Sequence, residues 1–104
     1  MAAAPKKLGA ISPSAATATN VFGPLTTGAV FSLQIFNGNA ATATLKVSLS
    51  DTTATQAAAA YLLNDYELAS GQFINLTGLA CDTEYLVAES DVVTVNFVAM
   101  GVEV

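Results

Sequence analysis

The sequence predicts an all-β chain: an antiparallel β-sandwich of the jelly-roll-like kind, with about seven or eight strands. Three observations predict it. Apolar residues recur with period two along most of the chain, as in Ala29–Asn37 (AVFSLQIFN) and Ala41–Ser50 (ATATLKVSLS). Turn residues such as Gly23-Pro24, Asn37-Gly38-Asn39 and Ser70-Gly71 punctuate these runs at the spacing of short strands. No window of useful length carries helical spacing.

The first residues, Met1 to Ala16 (MAAAPKKLGAISPSAA), have no clear period and hold two of the three prolines and two of the three lysines. They read as an extended N-terminal arm, followed by a single sandwich domain over residues 17–104. Thr17 to Phe22 reads as a short strand closed by Gly23-Pro24. In Ala29–Asn37, Phe31, Leu33 and Ile35 share one face, with Ser32 and Gln34 on the other. Asn37-Gly38-Asn39 then signals a hairpin, because Asn-Gly readily takes positive φ. Its second strand is Ala41–Ser50, with Ala43, Leu45, Val47 and Leu49 inward and Thr42, Thr44, Lys46, Ser48 and Ser50 outward.

Asp51 to Ala60 (DTTATQAAAA) is polar and then Ala-rich, a loop with at most one helical turn. Tyr61–Leu68 is a strand or strand with a corner, and Gln72–Leu76 a further strand after the Ala69-Ser70-Gly71 turn. Thr77 to Asp82 reads as a connection and Tyr85–Glu89 as a strand. Val92 to Val104 is the last strand, with Val93, Val95 and Phe97 on one face. So apolar a strand belongs in the centre of a sheet, since an exposed edge of that kind invites aggregation.

Composition narrows the function classes. The chain of 104 residues has no His, Arg or Trp and one Cys, and 11% of its residues are charged. A Ser-His-Asp or Cys-His site needs a histidine. A zinc site needs Cys or His clusters. The seven glycines are scattered, without a phosphate-binding pattern. The net charge is −5 and the pI about 4.1. Three lysines make a poor phosphate binder, which argues against nucleic acid. Met1 to Ala10 lacks the apolar stretch of a signal peptide, and no apolar run approaches the roughly 20 residues of a membrane span. The chain is therefore expected to stay soluble in a reducing compartment. Cys81 is expected to be a small buried or half-buried side chain that Asp82 and Glu84 do not activate.

Paired carboxylates are the remaining catalytic chemistry. Asp65 and Glu67 would share a strand face, and Glu89 and Asp91 flank a turn. At strand ends they read more simply as solvated charges. Asp51, Asp82 and Asp91 are the candidates for calcium, without an Asp-x-Asp-x-Asp loop to support them. The five phenylalanines read as core rather than as a stacking platform. Asn75-Leu76-Thr77 fits the N-glycosylation pattern and reads as a chance match.

The order of the segments carries more than any one of them. Leu8-Gly9 precedes an Ala/Pro/Thr-rich stretch, Ser12 to Thr19; Val30 to Asn37 ends in Asn before the Ala-Thr alternation of Ala40 to Val47. Tyr61-Leu62, Asp65-Tyr66 and Gly71 come next, then Leu76 to Leu79 (LTGL), Val93 to Phe97 and finally Gly101 to Glu103. In this order the chain resembles the small β-sandwich virion structural proteins of tailed bacteriophages, of the capsid decoration (cement) type.

The resemblance implies a protein without enzymatic activity or cofactor, made in the host bacterial cytoplasm and carried on the virion. Its expected partner is the major capsid protein, whose outer face it would bind to stabilise the head. It would do so as a homo-oligomer, a trimer, with no nucleic acid or membrane partner. The arm is the candidate for neighbour contact, through Pro5, Lys6, Lys7, Leu8, Ile11 and Pro13. The alternative is a tail or baseplate component with a glycan- or host-binding role.

Overall fold

The computed structural model describes residues 5–104, folded as eight antiparallel strands in two four-stranded sheets. The strands are β1 (Lys6–Ile11), β2 (Thr19–Phe22), β3 (Ala29–Asn37), β4 (Ala43–Ser50), β5 (Tyr61–Leu68), β6 (Phe73–Cys81), β7 (Tyr85–Ser90) and β8 (Val95–Glu103). One sheet has the order β1-β8-β3-β6 and the other β2-β7-β4-β5. The pairs β1/β8, β2/β7, β3/β6 and β4/β5 are successive stretches of one antiparallel ribbon, folded over so that alternate stretches fall in opposite sheets.

Period-two patterning places the core between the sheets. Phe31, Leu33 and Ile35 of β3 face Ala43, Leu45 and Val47 of β4, with Leu86 and Ala88 of β7 and Val95, Phe97 and Ala99 of β8 in the same cluster. Leu33, Ile35, Leu45, Val47 and Phe97 have no exposed surface. Phe22 and Phe31 meet edge to face across the two sheets, with ring centroids 5.1 Å apart. Gly9 permits β1 to lie against β2, because a Cβ there would fall 2.0 Å from the Val21 carbonyl oxygen. The apolar last strand is central, between β1 and β3.

Five expectations are corrected. Residues 6–11 are not an arm; they form an edge strand hydrogen-bonded to β8, with a register shift between Lys7 and Gly9 that hides the period. Met1 to Ala4, the rest of the expected arm's start, lie outside the described residues. The segment at Asn37-Gly38-Asn39 is not a hairpin, for β3 and β4 are in different sheets.

It is a corner built on the buried Asn37 side chain. Its Nδ2 donates to the carbonyls of Ala41 and Leu68, both at 2.9 Å, and its Oδ1 accepts the Asn39 amide at 2.9 Å. The Gly38 amide donates to the Thr94 carbonyl, so the corner also holds the loop before β8.

Thr77 to Asp82 is mostly strand rather than connection. A bulge at Thr77–Gly78, where Gly78 has φ +70°, lets β6 resume pairing as far as Cys81. Finally, Phe36 and Phe73 are not core, and Val93 precedes β8 and is exposed.

Candidate functional site

The two outer faces of the sandwich differ in character. On the β1-β8-β3-β6 sheet the outward rows follow from register. Phe73 lies beside Phe36 and Phe36 beside Asn96; Asn75, Gln34 and Val98 make the next row; Ser32, Met100 and Lys7 a third; Ala80, Val30 and Val102 a fourth. Val30 is 53% exposed, Phe73 61% and Met100 53%, which is unusual for large apolar side chains in such a row. Lys7 is the one charge in these rows; none of the eight acidic residues lies in them.

The outer face of the β2-β7-β4-β5 sheet is charged and partly covered. Its rows place Thr44 beside Glu67, and Lys46 between Glu89 and Asn64. The loop after β4 folds back over the rest. Asn20 Nδ2 donates to Thr53 Oγ1 at 2.7 Å, and the Ala54 amide donates to Asn20 Oδ1 at 2.7 Å. Ser48 Oγ donates to Gln56 Oε1 at 2.5 Å and accepts the Ala57 amide at 3.0 Å. Val87 lies between these two anchors, paired with Asn20 and Ser48, and is fully buried although it points away from the core. The same cover explains why Ser48 is buried at an outward position. The loop's single turn of 3₁₀ helix, Ala58–Ala60, leads directly into β5.

The carboxylates paired in the sequence are redistributed. Asp65, Glu89 and Asp91 line one open cleft with Lys46, Thr44 and Ala16, whereas Glu67 does not line it. Asp65 sits at a bulge of β5 with φ +54°, its Oδ1 3.7 Å from Lys46 Nζ. Asp91 Oδ1 accepts the Thr44 amide at 2.7 Å, so this carboxylate is already used to hold the loop before β8 against β4. Asp65 and Asp91 are exposed to water and Glu89 is half-buried. Among the described residues, no group of three His, Cys, Asp or Glu side chains is placed to hold a metal ion. Among them too, no buried side-chain nitrogen or oxygen lacks a hydrogen-bond partner.

The residues expected to contact a neighbour divide. Pro5, Lys6 and Lys7 are exposed, and Lys6 Nζ lies 2.5 Å from Glu103 Oε2 of the adjacent β8. Leu8 and Ile11 pack against the protein's own core, and Pro13 is buried, so these three are occupied internally. Cys81 is half-buried at the end of β6. Burial, and to a lesser degree Glu84 and Asp82, push its thiol above the ordinary range, while a hydrogen bond with the Ala29 backbone acts the other way.

Sequence reasoning missed the apolar outer face. Its signal was present in β3, where the outward register opens on Val30 and closes on Phe36 around Ser32 and Gln34. No protein-family model, curated protein or solved structure matches this chain.

Proposed function

We propose that this chain is a non-enzymatic virion structural protein of a tailed phage, a capsid decoration protein that binds the outer face of the major capsid lattice and stabilises the head. The observation that carries the reading is the charge segregation between the two outer faces. A docking face must lose its water, and rows of apolar and neutral side chains whose one charge is Lys7 lose it at less cost than exposed carboxylates do. The Val30, Phe36 and Met100 rows are the face that would meet the lattice. The acidic face around Lys46, Glu89 and Asp91 would remain in solvent.

The mechanism is mechanical. Each copy bridges neighbouring capsid subunits, so that separating them breaks additional interface, and the small gain per copy is multiplied over the shell. Lys7, exposed at the border of the apolar rows, is the residue of the original contact set best placed to join in. The test is copy number per purified particle, by quantitative mass spectrometry. Hundreds of copies support decoration of the head; a dozen or fewer place the chain in the tail or baseplate and overturn the reading.

A further inference from the structure

We propose that the free edge of β6 is a self-pairing edge, which joins the β6 strand of a second copy of this chain in antiparallel register about Asn75. The four sheet edges differ in how they are protected. β1 carries Lys6 and Lys7 and is flanked by Pro5 and Pro13. β2 has four residues, a register shift and Gly23-Pro24 behind it. β5 carries Asp65 and Glu67 and two register shifts. Such charges, prolines, short lengths and bulges are the devices that keep sheet edges from pairing. β6 (FINLTGLAC) has no charge and no proline, and its one bulge lies beyond Leu76, which leaves a regular stretch before it.

The backbone of that stretch is suitably aimed. The Asn37 amide donates to the Gln72 carbonyl, so the β3 groups that point at β6 are those of Asn37, Ile35 and Leu33. Ile74 and Leu76, opposite Ile35 and Leu33, therefore spend their N–H and C=O groups on β3. Those of Phe73 and Asn75, and the N–H of Thr77 where the bulge begins, point away from the sheet. A two-fold axis at Asn75 sets Asn75 opposite its counterpart and Phe73 opposite Thr77 of the second copy. The outward N–H and C=O of Asn75 are then paired with its counterpart, and the Thr77 N–H with the Phe73 carbonyl. Phe73 lies against a β-branched side chain, a favourable cross-strand combination.

The charge distribution points to a second copy as the occupant. Two chains of net charge −5 repel wherever their acids meet, as they would at β5, and β6 offers an approach with no acid on the strand. The axis stands perpendicular to the sheet, so the pairing makes one eight-stranded sheet with both apolar outer faces on the same side. The inference rests on the β6 edge and stands whether or not that face meets a capsid. A pairwise contact gives a dimer, whereas the resemblance implies a trimer.

The contact is short against the usual interface of about 800 Å² per partner, so association is expected with a dissociation constant on the order of 10 µM. The test is sedimentation of the full chain across that range, with amide exchange read residue by residue. The expected result is a concentration-dependent dimer in which the Asn75 and Thr77 amides become protected. Asn75→Lys, at an exposed position that sets two like charges on the axis, should raise the dissociation constant at least about tenfold, while Asn64→Lys on β5 leaves it unchanged. A monomer at concentrations on the order of 100 µM, a trimer, or a dimer indifferent to Asn75→Lys would overturn the proposal.

Discussion

The outer faces of the two sheets start from the same strand pattern and finish differently. Both belong to four-stranded antiparallel sheets whose inner faces share one core. On the β2-β7-β4-β5 side the chain supplies its own cover: the loop after β4, tied at Asn20 and Ser48, buries Val87. On the β1-β8-β3-β6 side Val30, Phe36, Phe73 and Met100 are exposed, and no loop among the described residues covers them. A fold that covers one outward valine and leaves another half exposed distinguishes apolar surface used for its own stability from apolar surface available to something else.

The largest expected effect is at the corner that spaces both faces. Asn37→Ala leaves the Leu68 and Ala41 carbonyls and the Asn39 amide without their partner, and should cost about 3 kcal/mol. Thermal unfolding should show it as a midpoint lowered by more than about 10 °C. A loss under about 1 kcal/mol would mean that the corner does not set the spacing of the sheets.

The next effect is confined to the covered side. Removing both loop anchors with Asn20→Ala and Ser48→Ala should cost about 1–2 kcal/mol and speed amide exchange over residues 51–57, with β6 and β8 unchanged. If exchange rises equally in β8, the faces are not independent.

On the open side the expectation is a small effect on stability and a large one on binding. Val30→Thr with Met100→Lys should move the unfolding free energy by no more than about 0.5 kcal/mol, yet abolish attachment to particles. A strongly destabilised double variant would make this face structural.

Smaller still, Asp65→Asn removes an exposed ion pair with Lys46, worth less than about 0.5 kcal/mol, and keeps a residue type that tolerates positive φ. Asp65→Val, β-branched at that backbone angle, should cost about 1–3 kcal/mol. Chemical denaturation of the two variants separates charge from backbone conformation.

The smallest effect is at Cys81, whose raised pKa keeps it a thiol in the folded chain. Because the unfolded chain gives up that proton first as pH rises, the contribution to stability is full below the ordinary thiol range and is lost above it. Alkylation of the native protein should accordingly stay slower than that of a free cysteine as pH is raised through that range. Equal rates would place Cys81 in an unperturbed, open setting.

Much of this was legible from alternation alone. The span of β3, the inward set Phe31, Leu33 and Ile35 and the inward set of β4 follow from period two, which reports the face on which a residue lies, and the central place of β8 follows from its apolar content. Period two does not report the sheet to which a strand belongs. Two strands facing each other across a core carry the same inward pattern as two strands paired in a hairpin, which is why Asn37-Gly38-Asn39 reads as a hairpin and is a corner. Two of the four edge strands were the other blind region: β1, where a register shift among lysines and prolines hides the period, and the half of β6 beyond its bulge, whereas the edges β2 and β5 were read as strands although they too carry register shifts. The open apolar face was missed for a related reason: Phe36 and Phe73 were assigned by residue type to the core, although their place in the alternation turns them outward. The clustering of Asp65, Glu89 and Asp91 about Lys46 depends on β5 and β7 flanking β4, an order that no local pattern encodes.

The open face can be probed directly by oxidative footprinting of the protein free and bound to purified particles. Met100 lies on that face, and Tyr66, beside core-facing Leu45 on the β5 edge of the other sheet, is a reference remote from it; both are exposed and readily oxidised. Oxidation of Met100 is expected to fall at least about tenfold on the particle, where docking excludes water, while that of Tyr66 is unchanged. Protection of Tyr66 with Met100 still open would contradict docking through the open face.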